Sequence, residues 1–182
     1  MRIGCSGNDT IAVFGQGPVG LSATQLATEM GARVIALDIS PTRLARATEF
    51  GAWATIDPSK DEPVAAIRDL THGGATLSLE TSSAPGARRA AVQCVRTWGT
   101  ACYVGEGGDV TLEVSPDLLR RQVTIVASWT FSSGGQADCA RFVEERGIDV
   151  EALFTHRWKL AQAKEAYQLF DRQADGKGVF LF

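Results

Sequence analysis

The run Gly15-Gln16-Gly17-Pro18-Val19-Gly20 is a GxGxxG that directly follows a short apolar stretch, Ile11-Ala12-Val13-Phe14. The chemistry this spacing supports is the holding of a diphosphate. Gly15 permits a tight turn off a strand, Gly17 lets main chain approach a pyrophosphate without a Cβ, and Gly20 lets helix and sheet pack closely. Pro18 suits a first helical turn, where a missing N–H costs nothing. The donors at the positive end of that helix therefore come mainly from Val19 and its neighbours. Eighteen residues after Gly20, at the end of a second apolar run, stands Asp38. A carboxylate there accepts hydrogen bonds from both hydroxyls of an adenosine ribose and repels a 2′-phosphate, which selects NAD(H) over NADP(H). Arg43, one helical turn on, is placed to sit over the same ribose edge and to offset part of that bias. The competing role for Asp38 is that of an acid at the start of the helix opened by Ser40-Pro41.

Such a loop works only when a strand delivers it and a helix leaves it, and the flanking pattern supplies both. Val19, Ala23, Leu26, Ala27 and Met30 fall on one helical face, and Gly31 provides a left-handed stop. Arg33 to Asp38 reads as a second strand, Pro41 to about Phe50 as a helix closed by Gly51, and Ala52 to Ile56 as a third strand. A helix near Glu62 to Leu70, a strand at Thr76 to Glu80, a helix from Pro85 to about Arg96 and strands at Gly99 to Val104 and Val123 to Ser128 continue the rhythm. Strands that are apolar throughout, spaced by helices, indicate a parallel sheet covered on both faces. The expected fold class is α/β, a doubly wound parallel sheet of Rossmann type over residues 9–150. Residues 151–182 do not extend that pattern: a strand at Leu153 to Trp158, a helix at Leu160 to Arg172 and the apolar end Val179 to Phe182 form a separate tail.

Composition removes several classes of function. The 182 residues are 45% hydrophobic and 21% charged, with a formal net charge of −3 and no long run of either sign, so nothing draws the chain to nucleic acid or to an anionic membrane. No apolar stretch approaches the length needed to span a bilayer, and the first residues lack the apolar core of a secretory leader. Cys5, Cys94, Cys102 and Cys139 are far apart and make no CxxC pair. They read as reduced thiols of a cytoplasmic protein.

Together, Val13-Phe14-Gly15-Gln16-Gly17-Pro18-Val19-Gly20, Gly31-Ala32 before the strand ending at Asp38, Arg43-Leu44 and Gly51-Ala52 resemble the zinc-type medium-chain alcohol and polyol dehydrogenases. Tyr103-Val104-Gly105 and the tail from Thr155-His156 through Ala166 to Gly176-Lys177-Gly178-Val179 match the same family, so the resemblance covers nearly the whole chain. It implies an oxidoreductase in which hydride passes between NAD and an alcohol bound to zinc. It places Thr81 and Ser82 along the adenosine side, Val104 and Gly105 beside the nicotinamide, and main chain near Ser128 and Thr130 against the carboxamide. For Val104, plain strand core is an equal alternative. The resemblance also implies a homodimer formed by edge pairing of the strand at 123–128, whose β-branched character suits that use.

In that family the zinc ligands come from a domain that precedes the nucleotide-binding part. This chain has two histidines, no Gly-His-Glu and no four-cysteine lobe. The expectation is the cofactor-binding portion alone, without a metal site, inactive by itself, and taking a small alcohol only together with the missing domain. Zinc is expected only in a full-length member. A non-catalytic NAD(H)-binding module and a zinc-independent quinone or enoyl reductase are the alternatives, and Asp38 speaks against the NADPH preference of the latter. The other chemistry-bearing side chains read as scaffold: His72 as a solvated turn, His156 as a hydrogen-bonded or surface residue, Glu144, Glu145 and Asp149 as a solvated face. Trp53, Trp98, Trp129 and Trp158 are expected to pack. Without a substrate domain, Trp158, Tyr167, Phe170, Phe180 and Phe182 lack partners, so the last thirty or so residues are expected to dock unusually, swap between chains, or be poorly ordered.

Overall fold

The computed structural model describes residues 2–172 and 176–182. Its organising element is the strand β1 (Thr10–Phe14), buried at every position. Ala12 and Phe14 point into one helical layer, Ile11 and Val13 into the other. Alternation of side chains along a strand makes both faces apolar here, which is why the run shows no polar period. The same holds for β2 (Arg33–Leu37), where Ile35 and Leu37 join the first layer and Val34 the second.

With β3 (Ala54–Ile56), β4 (Ala75–Glu80), β5 (Val95–Tyr103) and β6 (Thr124–Ala127), these strands form one parallel sheet in the order β3-β2-β1-β4-β5-β6. The chain winds outward from β1 in one direction, then returns to β4 and winds in the other. β1 and β4 stay paired to their last residues, but the helices that follow them pack on opposite faces of the sheet, the arrangement that forms a crevice beyond the carboxyl ends of such strands.

The crossovers are α1 (Pro18–Glu29), α2 (Pro41–Glu49), α3 (Pro63–Thr71) and α4 (Pro85–Cys94). Each begins with proline, whose fixed φ suits the first turn. Ser40 caps α2 and Glu62 caps α3, the latter accepting Ala65 N–H at 2.8 Å. Neither α1 nor α4 has a side-chain cap. Ala27 of α1 belongs to the core on one face of the sheet, and Ile67 of α3 with Ala90, Ala91 and Cys94 of α4 to the core on the other.

Two differences from the sequence expectation concern the second half. The helix that starts at Pro85 ends at Cys94 instead of Arg96, because Val95 is already extended and pairs with Ala75. The strand that follows therefore starts earlier and turns through Trp98, which has φ +62°. The helix α5 (Ser133–Arg146) carries no apolar stripe and buries no side chain, so periodicity gives no sign of it.

The tail is folded. A short turn at Val150–Leu153 is tied to α1 by Gln25 Nε2 donating to Asp149 O at 2.8 Å and to α2 by Arg46 donating to Ala152 O. Beyond it, β7 (Phe154–Lys159) and β8 (Lys177–Leu181) pair in parallel as a second sheet, with α6 (Ala163–Asp171) between them in sequence. His156 stacks on Trp158 at 5.9 Å and meets Phe170 edge-on at 6.3 Å. Against the expectation of poor order, the described residues of this segment form regular elements, with β7 and β8 pairing along one edge of each strand. The part of the expectation that concerned missing partners has a visible counterpart, since Tyr167, Leu181 and Phe182 are exposed.

Candidate functional site

The glycine-rich turn is built by close approaches that a side chain would prevent. Gly15 has φ +88°, its N–H donates to Leu37 O at 2.8 Å, and a Cβ on it would lie 2.8 Å from Ser82 Cβ. A Cβ on Gly20 would lie 1.8 Å from the carbonyl oxygen of Gly15. The tight contact that Gly20 allows is thus with the turn itself. Gly17, the first residue before α1, would meet nothing within 4 Å, so the space in front of it is open. The first hydrogen bond inside α1 is Leu21 N–H to Gly17 O at 2.9 Å. The amides of Val19 and Gly20 precede that ladder and point out of the helix start, where the helix dipole favours an anion.

Asp38 follows β2 and is 7% exposed. Its Oδ2 accepts Gln16 N–H at 2.7 Å and its Oδ1 accepts Ser40 N–H at 2.9 Å, while Arg43 Nη1 lies 3.7 Å from Oδ2. The helix-start role weighed for this acid is seen in the Ser40 contact, and each carboxylate oxygen retains acceptor capacity beyond its one amide. Gln16 fixes the arrangement from below. Fully buried, it donates from Nε2 to Val13 O at 3.0 Å and accepts from Thr24 Oγ1 at 2.9 Å. The x positions of a GxGxxG carry no message in the sequence, so this anchor is visible only in three dimensions.

Gly15, Asp38, Arg43 and Ser82 line one cavity of about 660 Å³ with Ile39, Pro63 and others, at the carboxyl ends of β1, β2 and β4. Thr81 stands behind this wall, its hydroxyl 2.9 Å from Phe14 O and 3.0 Å from Gly15 O, where it pins the turn to β4. Val104 and Ser128 line a second, more apolar cavity of about 430 Å³ between α1 and α5, and Ser128 N–H donates to Tyr103 O at 3.0 Å. Gly105 lies against Glu80 and Ser83. Thr130 is exposed with φ +50°. Of the residues assigned to the adenosine side, the structure brings Asp38, Arg43 and Ser82 to one cavity and leaves Thr81 outside it, while Val104 and Ser128 line another.

Sequence reasoning missed Glu80 and Arg88. Glu80 ends β4 as Asp38 follows β2, and an acid at the carboxyl end of a buried strand is the signal that could have found it. Arg88 offers no local signal. Glu80 is fully buried, with Oε1 accepting Ser82 N–H and Ser83 N–H, both at 2.7 Å, and Arg88 Nε 3.7 Å from Oε2. Burial pushes the neighbouring Tyr103 hydroxyl up to about 12, so it stays a donor, to Arg88 O at 3.0 Å, at any neutral pH.

The remaining candidates fall outside the site. His72 is the exposed left-handed end of α3, φ +54°, and His156 has Nδ1 2.7 Å from Thr155 Oγ1, both as expected. Asp149 caps the turn before the tail. Trp98 and Trp129 are exposed and do not pack as expected, whereas Trp53 lies beneath the Arg33 guanidinium at 4.9 Å. Cys94 is buried and burial pushes its thiol up to about 12, as suits an inert residue. Among the described residues no group of three or more His, Cys, Asp or Glu is arranged to hold a metal ion, so zinc does not fit here. No described helix is long and apolar enough to cross a membrane.

Known proteins share this arrangement. The chain is 38% identical over 179 residues to an uncharacterised zinc-type alcohol dehydrogenase-like protein of Escherichia coli strain K12, covering 97% of this chain and 51% of that protein. It is 31% identical over 178 residues to alcohol dehydrogenase 1 of Zea mays, covering 93% and 46%. The crystal structure of benzyl alcohol dehydrogenase from Acinetobacter calcoaceticus superposes with a TM-score of 0.87 at 25% identity, over 98% of this chain and 51% of that one. The chain thus spans about half the length of the relatives it matches, the half that carries the nucleotide-binding sheet. The profile described as zinc-binding dehydrogenase matches residues 18–146, and on that match the chain belongs to the zinc-binding dehydrogenase family.

Proposed function

We propose that this chain is the NAD(H)-holding part of a zinc-type, NAD-dependent alcohol or polyol dehydrogenase, with residues 9–150 as the cofactor unit and 151–182 contributing to a substrate domain. The observation that carries it is the placement of Asp38, held by two amides, in the wall of a cavity that it shares with Gly15 of the glycine-rich turn. The amides of Val19 and Gly20 receive the diphosphate, and Gly17 gives it room. Asp38 receives the adenosine ribose hydroxyls, with Arg43 at its edge and Ser82 on the far wall. Gly105, Val104 and main chain near Ser128 and Thr130 flank the nicotinamide half. When bound, the nicotinamide supplies two-electron redox chemistry; the chain's own residues bind and orient it, and exclude water from one face. The sites for a small alcohol and for zinc are assigned, in this reading, to the half of the longer relatives that this chain does not match.

Calorimetry on the folded chain tests the reading. NADH binds with measurable heat, NADPH binds more weakly, and no alcohol is oxidised by this polypeptide, with or without added zinc. Absence of heat with NADH overturns the proposal, and tighter binding of NADPH favours the quinone or enoyl reductase alternative.

The assembly proposed is a homodimer. The strand β6 is an edge of the sheet, Ile125 is 39% exposed on it, and Trp129 and Phe131 are bare just beyond. An unpaired apolar edge of this kind invites a second copy. Sedimentation at micromolar concentration is expected to give a dimer, and Ile125→Lys a monomer; a monomeric parent chain removes the assembly proposal.

A further inference from the structure

Fully buried acids that serve no ligand are rare unless they organise the backbone around them. Glu80 touches both sides of the cleft at once. Through Oε1 it holds the amides of Ser82 and Ser83, the second of which has φ +60°, a conformation a serine adopts only when held there. Through its main-chain oxygen it accepts Val104 N–H at 2.9 Å and Gly105 N–H at 3.0 Å. Its Oε2 has no hydrogen-bond partner and faces Arg88, 3.7 Å away. Arg88, itself 7% exposed, spans from that oxygen to Gly105 O, to which Nη2 donates at 2.9 Å. Gly105 must be a glycine for this contact, because a Cβ there would lie 2.8 Å from Glu80 Oε2.

We infer that Glu80 and Arg88 act as a pair of positioning residues for the nicotinamide half of the dinucleotide: the Glu80 carboxylate fixes the wall after β4, and Arg88 transfers that position to the loop after β5 through the carbonyl of Gly105. The inference rests on the NAD(H) reading of the cleft. Neither side chain touches the cofactor; they set where Val104 and Gly105 stand relative to Ser82. An arginine suits the task because its extended guanidinium donates to Gly105 O through Nη2 while Nε faces the Glu80 carboxylate, a reach that a lysine's compact ammonium lacks.

The test separates positioning from mere support of the fold by using two ligands that differ only in the nicotinamide ring. NADH and ADP-ribose are titrated against the parent chain, Arg88→Met, Arg88→Lys and the double variant Glu80→Gln/Arg88→Met, with thermal melting and NADH emission recorded for each. Arg88→Met melts lower, since it leaves a buried carboxylate without a counter-charge. The double variant removes that charge and recovers most of the melting temperature. In both, NADH binds about tenfold more weakly while ADP-ribose stays within about twofold, and the emission of bound NADH moves towards that of free NADH. Arg88→Lys restores NADH binding only in part. Equal loss of both ligands, or a double variant that binds NADH as the parent does, overturns the positioning role while leaving the cleft's reading intact. A parent chain that binds neither ligand removes both.

Discussion

Gly20→Ala is expected to abolish detectable NADH binding and to lower stability by about 3 kcal/mol or more, the upper end of what overpacking costs in a core. The added methyl would be 1.8 Å from the carbonyl oxygen of Gly15. That oxygen belongs to backbone held on several sides: Gly15 N–H is bonded to Leu37 O, and the Thr81 hydroxyl lies 3.0 Å from the same oxygen. The turn cannot yield without moving β1 or β4, and α1 cannot retreat without leaving the core that Ala27 helps fill. Because the amides proposed to meet the diphosphate lie at the start of α1, either response spoils that site as well as the packing. Gly17→Ala is the control, since its methyl enters open space; it should leave the melting curve close to the parent's while weakening NADH. Urea unfolding and calorimetry on the two variants provide the comparison. Equal stability of Gly20→Ala and the parent would falsify the close-approach argument.

The second large effect falls on cofactor choice. Asp38→Ser is expected to shift the ratio of NADH to NADPH affinity by on the order of 100-fold towards NADPH. Two charge-assisted hydrogen bonds to a ribose account for roughly 1.5 kcal/mol each at the lower end of their range, and removal of the carboxylate also relieves repulsion of a 2′-phosphate. Arg43, whose Nη1 lies 3.7 Å from Asp38 Oδ2, then faces the vacated position without that carboxylate beside it. The substitution also strips Gln16 N–H and Ser40 N–H of their acceptor, so melting temperatures must accompany the titrations. An unchanged affinity ratio in a folded variant would remove the ribose assignment and leave Asp38 as an organiser of α2 alone.

Local features of this protein were legible in its sequence because their physics is local. The six strands of the main sheet announce themselves as apolar runs, and α1 to α4 by proline at their start. Gly15 and Gly20 could be assigned close approaches from spacing, and the geometry gives both, although the contact at Gly20 is with the turn itself. What escaped reading depends on contacts between distant segments. Gln16, a variable position in its motif, acquires its importance from Val13, Thr24 and Asp38 converging on it. Glu80 and Arg88 are eight residues apart on different elements and meet only once β4, α4 and the loop after β5 are in place. The helix α5 escaped because it buries nothing, and a helix without an apolar stripe has no period to detect. Trp98 and Trp129 were expected to pack and are exposed, Trp98 at a positive-φ turn within β5 and Trp129 just after β6.

The holding of Asp38 by two amides has a consequence for the speed and cost of capture. An unrestrained carboxylate rotates among several orientations, and freezing such a side chain during association takes about 0.5 to 1.5 kcal/mol from the affinity. Here that loss of freedom has already occurred during folding, since Gln16 and Ser40 grip one oxygen each. On the proposed reading, an arriving sugar meets an acceptor that has stopped moving, and the cost of stilling it falls on folding instead of on association.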